Sequence, residues 1–151
     1  MRPGTLTRRV GAGVSASTRA DEAAGEAARE ARDALEGAPV DLAFLFLSAE
    51  HRAGARDALA AVERELAPGY LLGCVAQGVV GRDRELESGP GASVWAASLP
   101  DAEIETFHSV AFGTDDGVAV SGFPLLEGAD LVAFIVDPSS SSFSFERKPA
   151  A

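Results

Sequence analysis

Cysteine is almost missing from this chain: Cys74 is the single one in 151 residues, so no internal disulfide can form. Basic residues are also short, with 13 Lys and Arg against 23 Asp and Glu and a formal net charge of −10. That balance argues against nucleic-acid binding, which depends on cationic side chains neutralising phosphates. No apolar run comes near the ~20 residues that cross a bilayer, so no membrane span is expected. No Gly-x-Ser-x-Gly elbow, Walker loop or His-Glu-x-x-His segment is present, which removes the best-marked enzyme readings.

What is there is an ordinary globular mixture, 46% hydrophobic and 24% charged, at a length that suits one domain. Arg2, Arg8, Arg9 and Arg19 all precede the first acid, Asp21. A basic start invites a signal-peptide reading. Val10 to Ser17, however, is rich in small and polar residues and forms no apolar core of the kind such a signal needs. A cytoplasmic protein is the expectation, in keeping with a lone thiol.

Residues 18–36 read as a helix, with Thr18 and Asp21 as a capping-box-like start, an alanine stripe, and Gly37 at the stop. Leu42 to Leu47 is six apolar residues without alternation, the pattern of a strand covered on both faces. A second helix is expected from about Ala53 to Leu66, with Ala55, Leu59, Val62 and Leu66 inward, closed by Pro68-Gly69. Tyr70 to Cys74 reads as a short strand, Val75 to Gly81 as a loop, and Arg82 to Gly91 as polar surface loop. Ser93–Leu99 and Glu103–Val110 flank Pro100-Asp101 as a hairpin, and Leu131–Val136 reads as a further two-sided strand. The expected fold is α/β: a mixed sheet with crossover helices in the first half (β-α-β-α-β), then an antiparallel hairpin and another strand. Residues 139–151, opening on a serine run, read as a disordered tail.

The glycine-rich segment Gly11, Gly13, Ser15, Ser17 and Thr18 ahead of the first helix has the composition of an anion-holding turn. Gly11-x-Gly13-x-x-Ala16 partly imitates a dinucleotide fingerprint, but the acid expected ~20 residues on is missing, and a tight turn accounts for the small residues. Cys74, His51 and His108 all fall at strand ends in this reading, so a Cys–His nucleophilic pair is conceivable. Cys74 lies in an apolar run, where a thiol more often serves as a small hydrophobe. The three lack the local spacing of a zinc site, and no metal or other cofactor is expected. Asp115-Asp116-Gly117 reads as turn chemistry rather than a carboxylate pair at work.

Several segments, in order, resemble the N-terminal domain of the FIST family of intracellular signal-transduction sensors. They are Gly11 to Ser15 leading into the Ala-rich helix, Asp41 to Ser48 with His51 just after, Leu71 to Gly81, Ser93 to Pro100, and Asp130 to Pro138. The resemblance spans roughly residues 10–138 and is most specific at Gly73-Cys74 with its glycine-bearing loop. It implies a sensory domain that binds a small, amino-acid-like ligand without turnover and hands its state to a signalling partner protein. The implied site is Ser15, Ser48, His51, Cys74, Gln77 and Gly78, where strand ends and loops converge, with backbone N–H groups of the 11–18 and 73–81 segments taking a carboxylate. Against the family pattern, residues 1–138 look like the front part of that domain, lacking its end and a second domain. A partial sheet leaves an unpaired edge, which favours homodimerisation. Two other readings stand beside this one: a Cys-dependent enzyme using Cys74 with His51 or His108, and an interaction module without ligand.

Overall fold

A computed structural model describes residues 7–125 and 127–136. These fall into two compact units divided between Glu103 and Ile104.

The first unit is a mixed α/β layer structure, as the sequence pattern predicts. Its strands are β1 (Arg9–Ser15), β2 (Leu42–Ser48), β3 (Tyr70–Ala76), β4 (Val79–Gly81), β5 (Arg84–Leu86) and β6 (Ala92–Ser98), with helices α1 (Ala20–Asp33) and α2 (Ala55–Leu66). The main sheet has the order β1-β6-β2-β3. β2 and β3 are parallel, and β6 runs antiparallel between β1 and β2, so β1, β2 and β3 all end at one edge.

Both helices pack on one face of this sheet. The core joins Ala23, Ala27, Ala31 and Leu35 of the α1 region and Ala58, Val62 and Leu66 of α2 to Ala43, Leu45 and Leu47 of β2 and Val94 and Ala96 of β6. Alanine contributes little apolar area per residue, but it lets backbones approach closely. That approach is closest at β1, where a Cβ added to Gly11 or Gly13 would overlap the carbonyls of Ala31 and Ala27. These glycines therefore lie within a strand, under a helix, and form no phosphate-cradling turn.

The expectation that β2 is covered on both faces needs correction. From Leu42 to Leu47 only alternate residues are fully buried, and Leu42, Phe44 and Phe46 on the other face are half-buried. There Phe44 stacks with Phe46 at 6.2 Å and meets Trp95 at 5.7 Å between ring centroids. Helix α1 starts later than its capping-box signature suggests: Arg19 is the N-cap, without a side-chain cap bond. A short 3-10 turn (Ala49–Gly54) precedes α2, Ala67 closes it in the left-handed conformation, and Leu59, expected to face inward, is exposed (42%).

Three further expectations fail for reasons of pairing. Ser93–Leu99 does form a strand, but β6 has both ladder edges filled by β1 and β2, so it makes no hairpin with residues 103–110. The segment read as loop from Val79 onward contains the β4–β5 hairpin, registered Val79 to Leu86 and Gly81 to Arg84.

In the second unit, β7 (Val110–Thr114) and β8 (Gly117–Ser121) pair across a turn at Asp115-Asp116, where Gly117 takes φ +149. The turn is as predicted; the strands around it were not. Phe107, Phe123 and Phe134 gather with ring centroids 5.6–5.7 Å apart. Leu131–Val136 is not a strand: no ladder partner lies beside it among the described residues, and Leu131 is 85% exposed. Apolar pattern alone does not make a strand when its partner is missing. The predicted tail at 139–151 lies outside the described residues.

Candidate functional site

The carboxyl ends of β1, β2 and β3 bring several of the implied site residues to one edge. Ser15, the last residue of β1, is buried, and its hydroxyl donates to Glu26 Oε2 at 2.5 Å. Ser17 follows, its hydroxyl donating to the same oxygen at 2.7 Å and its N–H to Ser15 Oγ at 3.2 Å. Ser48, the last residue of β2, is 1% exposed and accepts the Gly91 N–H at 2.9 Å. His51 is 3% exposed in the 3-10 turn, with Nε2 3.1 Å from the Ser17 carbonyl, which assigns it as the donor in that contact.

Ser15, Ser17 and His51 thus form one hydrogen-bonded series, while Ser48 is committed to the loop before β6. Cys74 shares a sheet face with Phe46, opposite the helices, and is half-buried. Gln77 is exposed and Gly78 half-buried in the turn between β3 and β4. A Cβ at Gly78 would come within 2.9 Å of the Leu86 carbonyl, so its glycine serves hairpin packing. His108 is exposed in the second unit. Among the described residues no three His, Cys, Asp or Glu side chains gather as a metal would need. Within the same residues no helix is long and apolar enough to cross a membrane.

In the 11–18 segment one backbone N–H expected to meet an incoming carboxylate, that of Val14, is already taken within the chain. It donates to Glu30 Oε2 at 3.0 Å, and Glu26 takes the two serine hydroxyls. The Ser15 hydroxyl, then that of Ser17, holds the Glu26 carboxyl below its ordinary range. The Val14 N–H does the same for Glu30, with help from Arg82, whose Nη1 lies 2.8 Å from Glu30 Oε1. Arg84 of β5 donates to the Val14 carbonyl at 2.5 Å.

These groups line an open cleft of about 430 Å³ bounded by Val14, Ser15, Ala16, Ser17, Glu26, Glu30 and Arg84. Sequence reading missed Glu26, Glu30, Arg82 and Arg84. The two acids carried a signal: they stand four apart on α1, beside the buried Ala27 and Ala31, where a helix meets its sheet. The arginines carried none, lying in a stretch that resembles any solvated loop.

The chain is 43% identical over 133 residues to an uncharacterized protein of Mycobacterium tuberculosis, covering 87% of this chain and 34% of that protein. It is 38% identical over 131 residues to an uncharacterized protein of Mycobacterium bovis, covering 86% of this chain and 33% of the other. The chain spans about a third of the length of these curated relatives. No family model matches it, and no solved structure does.

Proposed function

We propose that this chain is a non-catalytic sensory module of the FIST type that binds a small polar ligand, of amino-acid size, at the edge where β1, β2 and β3 end. The observation that carries the reading is the open cleft at the end of β1, walled by serine hydroxyls, two carboxylates and a guanidinium. Ligands of open α/β sheets characteristically sit outside the carboxyl ends of strands, in clefts with a few convergent polar groups. Binding without turnover fits His51, whose Nε2 is spent on a backbone carbonyl rather than on a hydroxyl or thiol.

On this reading the module works in the cytoplasm, a placement resting on its lone thiol. Its ligand state passes to a signalling partner protein. Among the described residues β1 and β3 are the outer strands of the main sheet, and on this reading their ladder edges would take a second copy.

Isothermal calorimetry of the purified chain against the common amino acids and other small metabolites tests the proposal. Saturable heat for one chemical class is the expected result. Silence across the panel, from protein that melts cooperatively, rejects it.

A further inference from the structure

The second unit carries its apolar residues outward. In the β7–β8 register Val110 stands across from Ser121 and Phe112 across from Ala119, so Val110 and Phe112 share one side of the hairpin. Val120 and Val118, across from Ala111 and Gly113, share the other. All four are between 46% and 58% exposed, so neither side is covered. The cluster of Phe107, Phe123 and Phe134 lies outside the two strands. Among the described residues β7 and β8 pair only with each other, which leaves both outer ladder edges open. A lone two-stranded hairpin is marginal in water, and a contiguous exposed apolar surface marks an interaction site. Charge narrows the occupant. Residues 104–136 hold Glu105, Asp115, Asp116, Glu127 and Asp130, all exposed, and no Lys or Arg.

We infer that β7–β8 is a docking element for an extended segment of another protein, apolar in its middle and flanked by Lys or Arg, which adds as a strand beside the hairpin. Main-chain hydrogen bonds to an open edge supply affinity, and alternate side chains of the added strand extend the two apolar faces. Its basic ends meet Asp115 and Asp116 at the turn, and complementary charge of this kind decides which partner is accepted. A second copy is disfavoured at this hairpin, because it sets five acids against five with no base in either unit. Anionic surfaces, nucleic acid and lipid headgroups included, are repelled for the same reason. Such a segment gives the partner protein proposed above its chemistry, and docking needs no ligand in the first unit.

Fluorescence anisotropy of the full chain with dye-labelled Lys-Lys-Val-Thr-Val-Thr-Val-Lys-Lys and its Glu-ended counterpart tests the inference. The Lys-ended peptide is expected to bind at least tenfold tighter, and to weaken in ~0.5 M salt. Asp115→Asn/Asp116→Asn, which keeps turn-forming residues, should weaken it at least fivefold. Val118→Thr/Val120→Thr, which keeps strand propensity, should do the same, and either pair decides if the other does not fold. Removing two exposed acids from α2 instead, with Asp57→Asn/Glu63→Gln, should leave binding unchanged. Equal binding of the two peptides, or binding of neither, overturns the assignment. So does an α2 variant that loses as much as the turn variant, since the net charge of −10 alone would then attract the peptide. Dimers in light scattering that Val118→Thr/Val120→Thr abolishes would make a second copy the occupant and overturn it too. Hydrogen exchange as slow in β7–β8 of the free chain as in β2 would show the hairpin already covered, with the same consequence. Silence toward small ligands alongside selective peptide binding removes the sensory proposal and leaves this docking element standing.

Discussion

Ser48 and Gly91 are hydrogen-bonded in both directions: the Ser48 N–H donates to the Gly91 carbonyl at 2.8 Å, and the Gly91 N–H donates to Ser48 Oγ at 2.9 Å. The pair clamps the end of β2 to the loop residue just before β6, at the edge that carries the candidate site. Both residues are buried, so neither backbone group has water to fall back on.

Ser48→Ala removes the acceptor and leaves a buried N–H unpaired. The expected cost is about 1–3 kcal/mol, the usual penalty for orphaning a buried donor. Urea unfolding monitored by the fluorescence of Trp95, the single tryptophan, measures it. A loss below about 0.5 kcal/mol would mean that the loop relaxes to find another partner.

Two glycines that look alike in sequence should respond in opposite ways to alanine. At Gly13 a Cβ would overlap the Ala27 carbonyl of α1, and backbone on backbone has no flexible end to yield. Gly13→Ala should therefore destabilise by about 3 kcal/mol, the upper range of core overpacking. At Gly25, inside α1, the added Cβ would lie 3.5 Å from Arg29 Nη1 and 3.9 Å from Ala61 Cβ, which is ordinary contact. Gly25→Ala should stabilise by about 0.5–1 kcal/mol through helix propensity. Denaturant midpoints of the two variants test the contrast.

The same glycines show how far the sequence could be read. Helical spacing of Ala23, Ala27 and Ala31 and the apolar run of β2 are local signals, and both elements formed there, although α1 is shorter at each end than the expected 18–36. Gly11 and Gly13 stood out as well, but their purpose depends on which helix lies above them, a non-local fact. The hairpin expected of β6 failed in the same way, since its residues read as a strand and nothing in them said that β1 and β2 would take both edges. The cleft was least legible. Glu26 and Arg84 are far apart in the chain, and only the return of the β4–β5 hairpin to the end of β1 places them around one space.

The Glu65 ion pairs should contribute little despite their number. Arg29 and Arg32 each reach a different Glu65 oxygen at 2.9 Å, and Arg32 also donates to the Glu65 carbonyl at 3.1 Å. Both arginines are nearly half exposed, where solvent screens the attraction and ordering long side chains opposes it. Glu65→Ala is expected to cost less than about 1 kcal/mol, and less again in ~1 M salt. A larger loss that resists salt would identify the pairs as a rigid brace between the helices.

Glu26 and Glu30 make the strand-end latch sensitive to acid. Hydrogen bonds from Ser15 and Ser17 depress the first carboxyl, and the Val14 N–H with Arg82 depresses the second, each below the ordinary value of 4.5. A carboxyl with a lower pKa in the folded state stabilises the fold while it is ionised, so the contribution is fully present above the unfolded value. It is lost as pH falls from about 4.5 through the folded value, because protonation then favours the unfolded chain. Denaturant midpoints taken between about pH 7 and pH 3 should therefore fall more steeply for the parent than for the Glu26→Gln/Glu30→Gln variant. The variant starts from lower stability at neutral pH, and the two curves converge in acid. Parallel acid limbs would show that these carboxylates are no better held in the fold than in the open chain, and the latch would then lie in Ser15, Val14 and the arginines alone.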